Sequence, residues 1–100
     1  DAEFAASVSG FLRAIRTRLP KAELVAMRPF GGFQAGGVRQ AVEELSKAGD
    51  SRVHYVDTEG WLEKADFSDG IHPTVEGHAK AAKRLAAALK VFLPAEGNAR

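Results

Sequence analysis

Apolar side chains recur along the chain in two spacings, and these predict five elements of secondary structure. Over residues 3–18 they return every three or four positions, as on one face of an amphipathic helix. The same spacing over 38–48 and 74–92 predicts two further helices. The short apolar run Leu24–Met27 is typical of a buried strand, and the β-branched and aromatic stretch Val53–Val56 predicts a second strand. The apolar face of the last helix should comprise Val75, Ala79, Ala82, Leu85, Ala86, Leu89 and Phe92.

Breakers and caps set the predicted boundaries. Pro20 ends the first helix, and Gly49 is suited to the position after the second. Thr74 is a good N-cap for the last helix, which Pro94 ends, leaving a frayed tail over 95–100.

The segment before the last helix and the arginines of the first helix support weaker predictions. Residues 58–73 lack a clear period, and a short helical turn is expected around Trp61 and Leu62. Three arginines of the first helix lie off its apolar face and are expected in solvent: Arg13, Arg16 and Arg18.

The predicted order, α-β-α-β-α, indicates an α/β protein built from parallel βαβ units. Parallel sheets are normally covered on both faces and contain four or more strands. Two strands of four to five residues would leave both sheet edges open and the apolar faces of three helices under-covered. We therefore expect part of a larger sheet. The chain begins at Asp1 and its only methionine is Met27, which suggests a processed product or a piece of a longer protein.

Composition narrows the class of protein. Hydrophobic residues make up 45% and charged residues 27% of the 100 positions, which excludes a disordered tail. The net charge of +1 gives no support for a nucleic-acid partner. The absence of cysteine excludes a disulfide scaffold, and no apolar run is long enough for a membrane span. There is no sign of a metal or organic cofactor.

A turn before the last helix carries the clearest chemistry. Asp69 lies three residues before His72, with Gly70 between them to supply backbone freedom and Pro73 fixing the entry into the helix. A serine-type triad needs a histidine whose Nδ1–H is held by a carboxylate. Asp69 and His72 are therefore the candidate catalytic residues. Asp66 is the rival carboxylate, but we expect it to be exposed.

The other candidate side chains have simpler interpretations. His54 is expected to be structural, and His78 to pack or meet solvent. Ser51 ends the tripeptide Gly-Asp-Ser, but it follows a helix and leads into a strand, so we interpret it as part of a helix-terminating turn.

Residues 69–78 read Asp-Gly-Ile-His-Pro-Thr-Val-Glu-Gly-His and precede an Ala- and Leu-rich helix. This stretch resembles the last conserved block of the SGNH (GDSL-type) hydrolases, and residues 54–58, His-Tyr-Val-Asp-Thr, are also similar to that family. The resemblance implies the C-terminal portion of a flavodoxin-like three-layer α/β/α domain with a parallel sheet. It implies that Asp69 orients the imidazole and that His72 is general base and then general acid.

The family's nucleophilic serine and its oxyanion-hole glycine and asparagine have no counterpart here. Residues 1–100 are therefore expected to be the C-terminal half of a single SGNH domain. The expected partner is a second polypeptide or N-terminal half that carries the serine and the oxyanion hole.

A glycine-rich loop over residues 29–37 leaves the carboxyl end of the first strand, the edge where open α/β sheets bind ligands. It could be a pocket wall, with Phe33 offering apolar surface and Gln34 a polar contact, or a plain connection. Trp61 could stack on a sugar or pack in the core. The candidate substrate-binding residues are Phe30, Gly31, Gly32 and Trp61.

The resulting hypothesis is a serine esterase that deacetylates a carbohydrate or similar small ester, with phosphodiesters and thioesters also open. Export from the cell is favoured only by analogy with polysaccharide esterases. Two alternatives are a non-catalytic α/β fragment or interaction module that keeps the turn for its fold, and a self-contained enzyme that uses Ser51.

Overall fold

The computed structural model describes residues 2–69 and 72–92, and in these the chain is a mixed α/β protein. The predicted order of elements is confirmed. Gly70, Pro94 and the 95–100 tail lie outside the described residues. The five elements are α1 (Ala2–Arg18), β1 (Leu24–Met27), α2 (Ala35–Lys47), β2 (Val53–Val56) and α3 (Val75–Leu89).

The chain divides into two compact units, Asp1–Thr58 and Glu59–Arg100. In the first, β1 and β2 pair in parallel, with Leu24 opposite Val53. Within the described residues, each strand has one ladder partner, so the sheet has two strands. This is the parallel βαβ arrangement that the alternation of strands and helices predicts.

In the first unit, α2 packs against both strands and α1 packs against α2. The buried cluster consists of Leu12, Leu24, Ala41, Val42, Leu45 and Val53. Some apolar side chains at this end of the chain are not covered: Phe11 in α1 is 67% exposed, and Leu19, just after the helix, is 54% exposed.

Arg16 does not lie free in solvent, and that expectation is wrong. Its Nε and Nη2 donate to the two carboxylate oxygens of Asp50, at 2.9 and 3.1 Å. Its Nη1 donates to the carbonyl of Ala22 at 2.6 Å. A bidentate arginine–carboxylate pair is among the stronger polar contacts in proteins, so Arg16 joins the end of α1 to the turn before β2. Arg13 and Arg18 are exposed, as expected.

This pair gives a prediction for acid stability. The hydrogen bond from Arg16 holds the pKa of Asp50 below its usual value of 3.8. A carboxyl whose pKa is lowered on folding stabilises the protein above its unfolded pKa, and that contribution is lost as the pH falls through the folded value. We therefore expect Asp50→Asn to reduce the loss of stability between about pH 5 and pH 2. Urea unfolding of both proteins across that range measures it.

The matched control is Glu43→Gln, which changes an exposed carboxyl of α2. It should leave the pH dependence of the urea midpoint close to that of the wild type. Equal pH dependence in wild type and Asp50→Asn would contradict the assignment.

In the second unit, the short helical turn lies at Lys64–Asp66 rather than around Trp61 and Leu62. A reciprocal capping box explains this position, because the side chains of Glu63 and Asp66 accept from each other's backbone N–H. Such caps favour a local turn more strongly than the weak apolar spacing upstream.

Helix α3 begins as predicted, since Thr74 Oγ1 accepts from the N–H of Gly77 at 3.0 Å. Its buried positions are Gly77 and Ala81, and it ends at Leu89, before the predicted end at Phe92. The predicted apolar face of α3 is therefore partly wrong, because the buried positions hold the small residues Gly77 and Ala81 and not the larger apolar residues of that face. The exposed members of the predicted face are Val75, Ala79, Ala82 and Ala86.

Candidate functional site

Asp69 and His72 meet on the turn before α3. One carboxylate oxygen of Asp69, Oδ2, lies 2.7 Å from His72 Nδ1. The other, Oδ1, accepts from the backbone N–H of His72, also at 2.7 Å. The same carboxylate therefore holds both the ring and the main chain of the histidine.

This contact selects the tautomer of His72. An ionised carboxylate can only accept, so Nδ1 must carry the hydrogen that lies between the two groups. In the neutral ring, Nε2 is then the basic nitrogen. The side chain of His72 is 76% exposed and that of Asp69 54% exposed, so outside groups can reach the pair. An oriented, accessible imidazole of this kind can act as a general base.

Backbone contacts close the turn beneath the pair. The carbonyl of His72 accepts from Ser68 twice, from its N–H at 2.8 Å and from its Oγ at 3.1 Å. Phe67 and Pro73 form an isolated antiparallel bridge. These contacts bring the two sides of the turn together at the start of α3.

The expectation that Asp66 is exposed is wrong. Asp66 is buried, with 8% of its surface accessible. Its Oδ2 accepts from Lys80 Nζ at 2.7 Å and from the N–H of Glu63 at 2.7 Å. Its backbone carbonyl accepts from the N–H of Thr74 at 2.7 Å. These hydrogen bonds hold both the side chain and the backbone of Asp66 within the turn.

The charges of Asp66 and Lys80 stabilise each other. The hydrogen bond from Lys80, followed by that from Glu63, lowers the pKa of Asp66 from its usual value of 3.8. The hydrogen bond to Asp66 raises the pKa of Lys80 above 10.5. Both groups therefore stay charged over the whole neutral range.

Sequence reasoning did not identify Lys80. The spacing Glu63-x-x-Asp66 was a usable signal for a capping box. Lys80 itself lies three residues after Gly77 on α3, the spacing that places two residues on one helix face. Neither spacing alone identifies the acidic side chain with which Lys80 forms an ion pair.

The proposed loop residues belong to the first unit, whereas Asp69 and His72 belong to the second. Phe30, Gly31 and Gly32 lie in a tight turn, in which the N–H of Gly32 donates to the carbonyl of Pro29 at 2.9 Å. Gly31 and Gly32 have φ of 87° and 81°, a region that favours glycine. A Cβ at Gly32 would lie 2.6 Å from Nη2 of Arg28, so the arginine packs on this glycine.

Trp61 lies in the same unit as the Asp69–His72 pair and is half-buried. This exposure is compatible with either a packing or a stacking role, so the two interpretations stay open. Phe33 is 64% exposed, which leaves apolar surface on the glycine-rich loop.

The remaining candidates have the surroundings that the sequence predicted. Ser51 lies in the turn between α2 and β2, and it is exposed. His54 Nε2 lies 2.6 Å from Glu23 Oε1, which joins β2 to the segment before β1. His78 is exposed on α3.

Within residues 2–69 and 72–92, no helix combines the length and apolarity needed to cross a membrane. In the same residues, no group of three or more His, Cys, Asp or Glu side chains is placed to hold a metal ion.

Comparison of the chain with family models, curated proteins and solved structures gives no match.

Proposed function

We propose that this chain is the acid–base half of an SGNH-type serine esterase. The observation that carries the proposal is the contact between Asp69 Oδ2 and His72 Nδ1 at 2.7 Å, on a turn that opens a helix. It occurs within the Asp-Gly-Ile-His-Pro block that resembles the family. The parallel βαβ unit also suits a portion of the larger flavodoxin-like sheet.

In the proposed reaction, a serine on the other half attacks the carbonyl carbon of an ester. His72 Nε2 takes the proton from the serine hydroxyl, and Asp69 stabilises the imidazolium. The tetrahedral intermediate collapses, His72 returns the proton to the leaving alcohol, and an acyl-serine forms. Water, deprotonated by His72, then releases the acid and restores the serine.

The substrate proposed is an acetylated carbohydrate or another small ester. Phe30, Gly31 and Gly32 follow the carboxyl end of β1, the edge at which parallel sheets bind ligands. They are proposed substrate-binding residues of the first unit, and Trp61 is a separate proposed substrate-binding residue of the second. No cofactor or metal is required, because serine, histidine and aspartate suffice for this chemistry.

The test begins with the native preparation. Denaturing mass spectrometry should find a second polypeptide or a longer chain that carries this sequence. A fluorophosphonate probe should label one serine outside residues 1–100, and that preparation should hydrolyse an activated acetate ester. Heat-denatured protein should not be labelled, because the probe reacts only with an activated serine.

Three outcomes contradict the proposal. The first is ester hydrolysis by this chain alone, and the second is labelling of Ser51, which would indicate a self-contained enzyme. In the third, the complete protein shows neither labelling nor ester hydrolysis. This last result favours a non-catalytic module, in which Asp69 Oδ1 serves the fold by accepting from the backbone of His72.

A further inference from the structure

The Asp69–His72 pair is exposed, so its geometry depends on how firmly the turn below it is fixed. Fixing an exposed backbone segment and two side chains costs conformational entropy. The free energy gained from a single hydrogen bond between the two side chains offsets that entropy cost only narrowly. The contacts that anchor the turn therefore decide what fraction of molecules hold the pair together.

Asp66 is the residue through which the turn is anchored. Its backbone carbonyl accepts from the N–H of Thr74, the N-cap of α3. The neighbouring residue Phe67 bridges to Pro73. Asp66 thus lies where the chain enters the turn and is bonded to the place where it leaves.

Lys80 fixes the side chain of Asp66 from α3. Its Nζ lies 2.7 Å from Asp66 Oδ2 and 3.5 Å from Glu63 Oε2. The Asp66 side chain is only 11% exposed, whereas that of Glu63 is 82% exposed. Buried ion pairs are screened less than exposed ones, so the contact with Asp66 is the one that matters.

Gly77 allows this contact to form. A Cβ at that position would strike the backbone carbonyl of Asp66, so only glycine lets α3 come this close to the turn. Gly77 and Lys80 are three residues apart and lie on the same side of the helix. The helix therefore brings its lysine directly to the buried acid.

We propose that Lys80, acting through Asp66, is a positioning residue that holds His72 against Asp69 in the Nδ1–H tautomer. The catalytic consequence rests on the proposed esterase function, but the effect on geometry does not. Without the lysine, the buried carboxylate of Asp66 loses its compensating charge and turns toward water. The closure between Asp66 and Thr74 then loosens, and the pair spends less time in contact.

The first test measures the tautomer of His72 by nitrogen-15 NMR of the imidazole, at a pH where the ring is neutral. In the wild type the Nδ1–H form should dominate. Lys80→Met should shift the ratio of the two tautomers toward Nε2–H by about tenfold, since a hydrogen bond to a charged group is worth at least that factor. Lys80→Arg, which keeps the charge, should restore most of the ratio.

Lys83→Met is the matched control, because it removes an exposed lysine from the same helix. Circular dichroism establishes that each variant keeps its helices. If Lys80→Met does not fold, Asp66→Asn replaces it, since the amide oxygen can still accept from Glu63 while the ion pair is lost. An unchanged tautomer ratio in a folded variant that lacks the pair overturns the proposal.

The second test uses the complete esterase. Lys80→Met should lower kcat about tenfold with little change in KM, because the lysine orients the base and does not touch the ester. A tautomer shift with no fall in kcat would overturn the catalytic part of the proposal. If the complete wild-type protein has no esterase activity, the proposed function fails, and the tautomer measurement still decides the role of Lys80.

Discussion

Replacing His72 with alanine is expected to lower kcat/KM for ester hydrolysis by about 10²–10⁴-fold in the complete enzyme. The reason is that the proposed serine then has no base to take its proton and no acid to protonate the leaving alcohol. Stability should change little, because the ring is 76% exposed. The measurement is initial rates on an activated acetate ester, with thermal unfolding recorded in parallel.

His78→Ala is the matched control, since it removes another exposed histidine six residues away. It should retain wild-type activity. Asp69→Asn gives an independent check, because an amide can accept from the backbone N–H of His72 but then presents its NH₂ group to the ring. That favours the wrong tautomer and should also lower kcat strongly. Activity within a few-fold of wild type in His72→Ala would rule out its role as the base.

Gly77→Ala is expected to destabilise the protein by about 1–3 kcal/mol, although alanine normally favours a helix. The cause is the backbone carbonyl of Asp66, which occupies the space that a Cβ would need. A backbone atom in a closed turn cannot move aside as the end of a long side chain can. Urea unfolding followed by circular dichroism measures the change in the free energy of unfolding.

Gly10→Ala is the control, and its expected change in the free energy of unfolding has the opposite sign. Gly10 lies within α1, and nothing approaches within 4 Å of the position of its Cβ. Here the substitution should stabilise the protein by about 0.5–1 kcal/mol. A Gly77→Ala protein as stable as Gly10→Ala would show that α3 does not need its close approach to the turn.

Only part of the candidate site could be predicted from the sequence. An acid three residues before a histidine can fold back onto the ring, because that spacing is local, and the structure places Asp69 there. The assignment of Asp66 to solvent failed for the opposite reason. Asp66 is buried, and its ion-pair partner Lys80 is 14 residues away in the chain. No local spacing identifies that partner.

The sequence by itself determined the order of helices and strands, the cap at Thr74 and the parallel pairing of β1 with β2. These follow from spacing, capping and chain alternation, which act over a few residues or through general rules of connection.

Only the tertiary structure decided which positions are covered. In the structure, Arg16 pairs with Asp50 and Lys80 pairs with Asp66. Val75, which lies on a face predicted to be buried, is 80% exposed. Burial and ion pairing depend on which distant segments meet in space. Those contacts are set by the packing of whole elements, where a glycine such as Gly77 can matter more than a large apolar side chain.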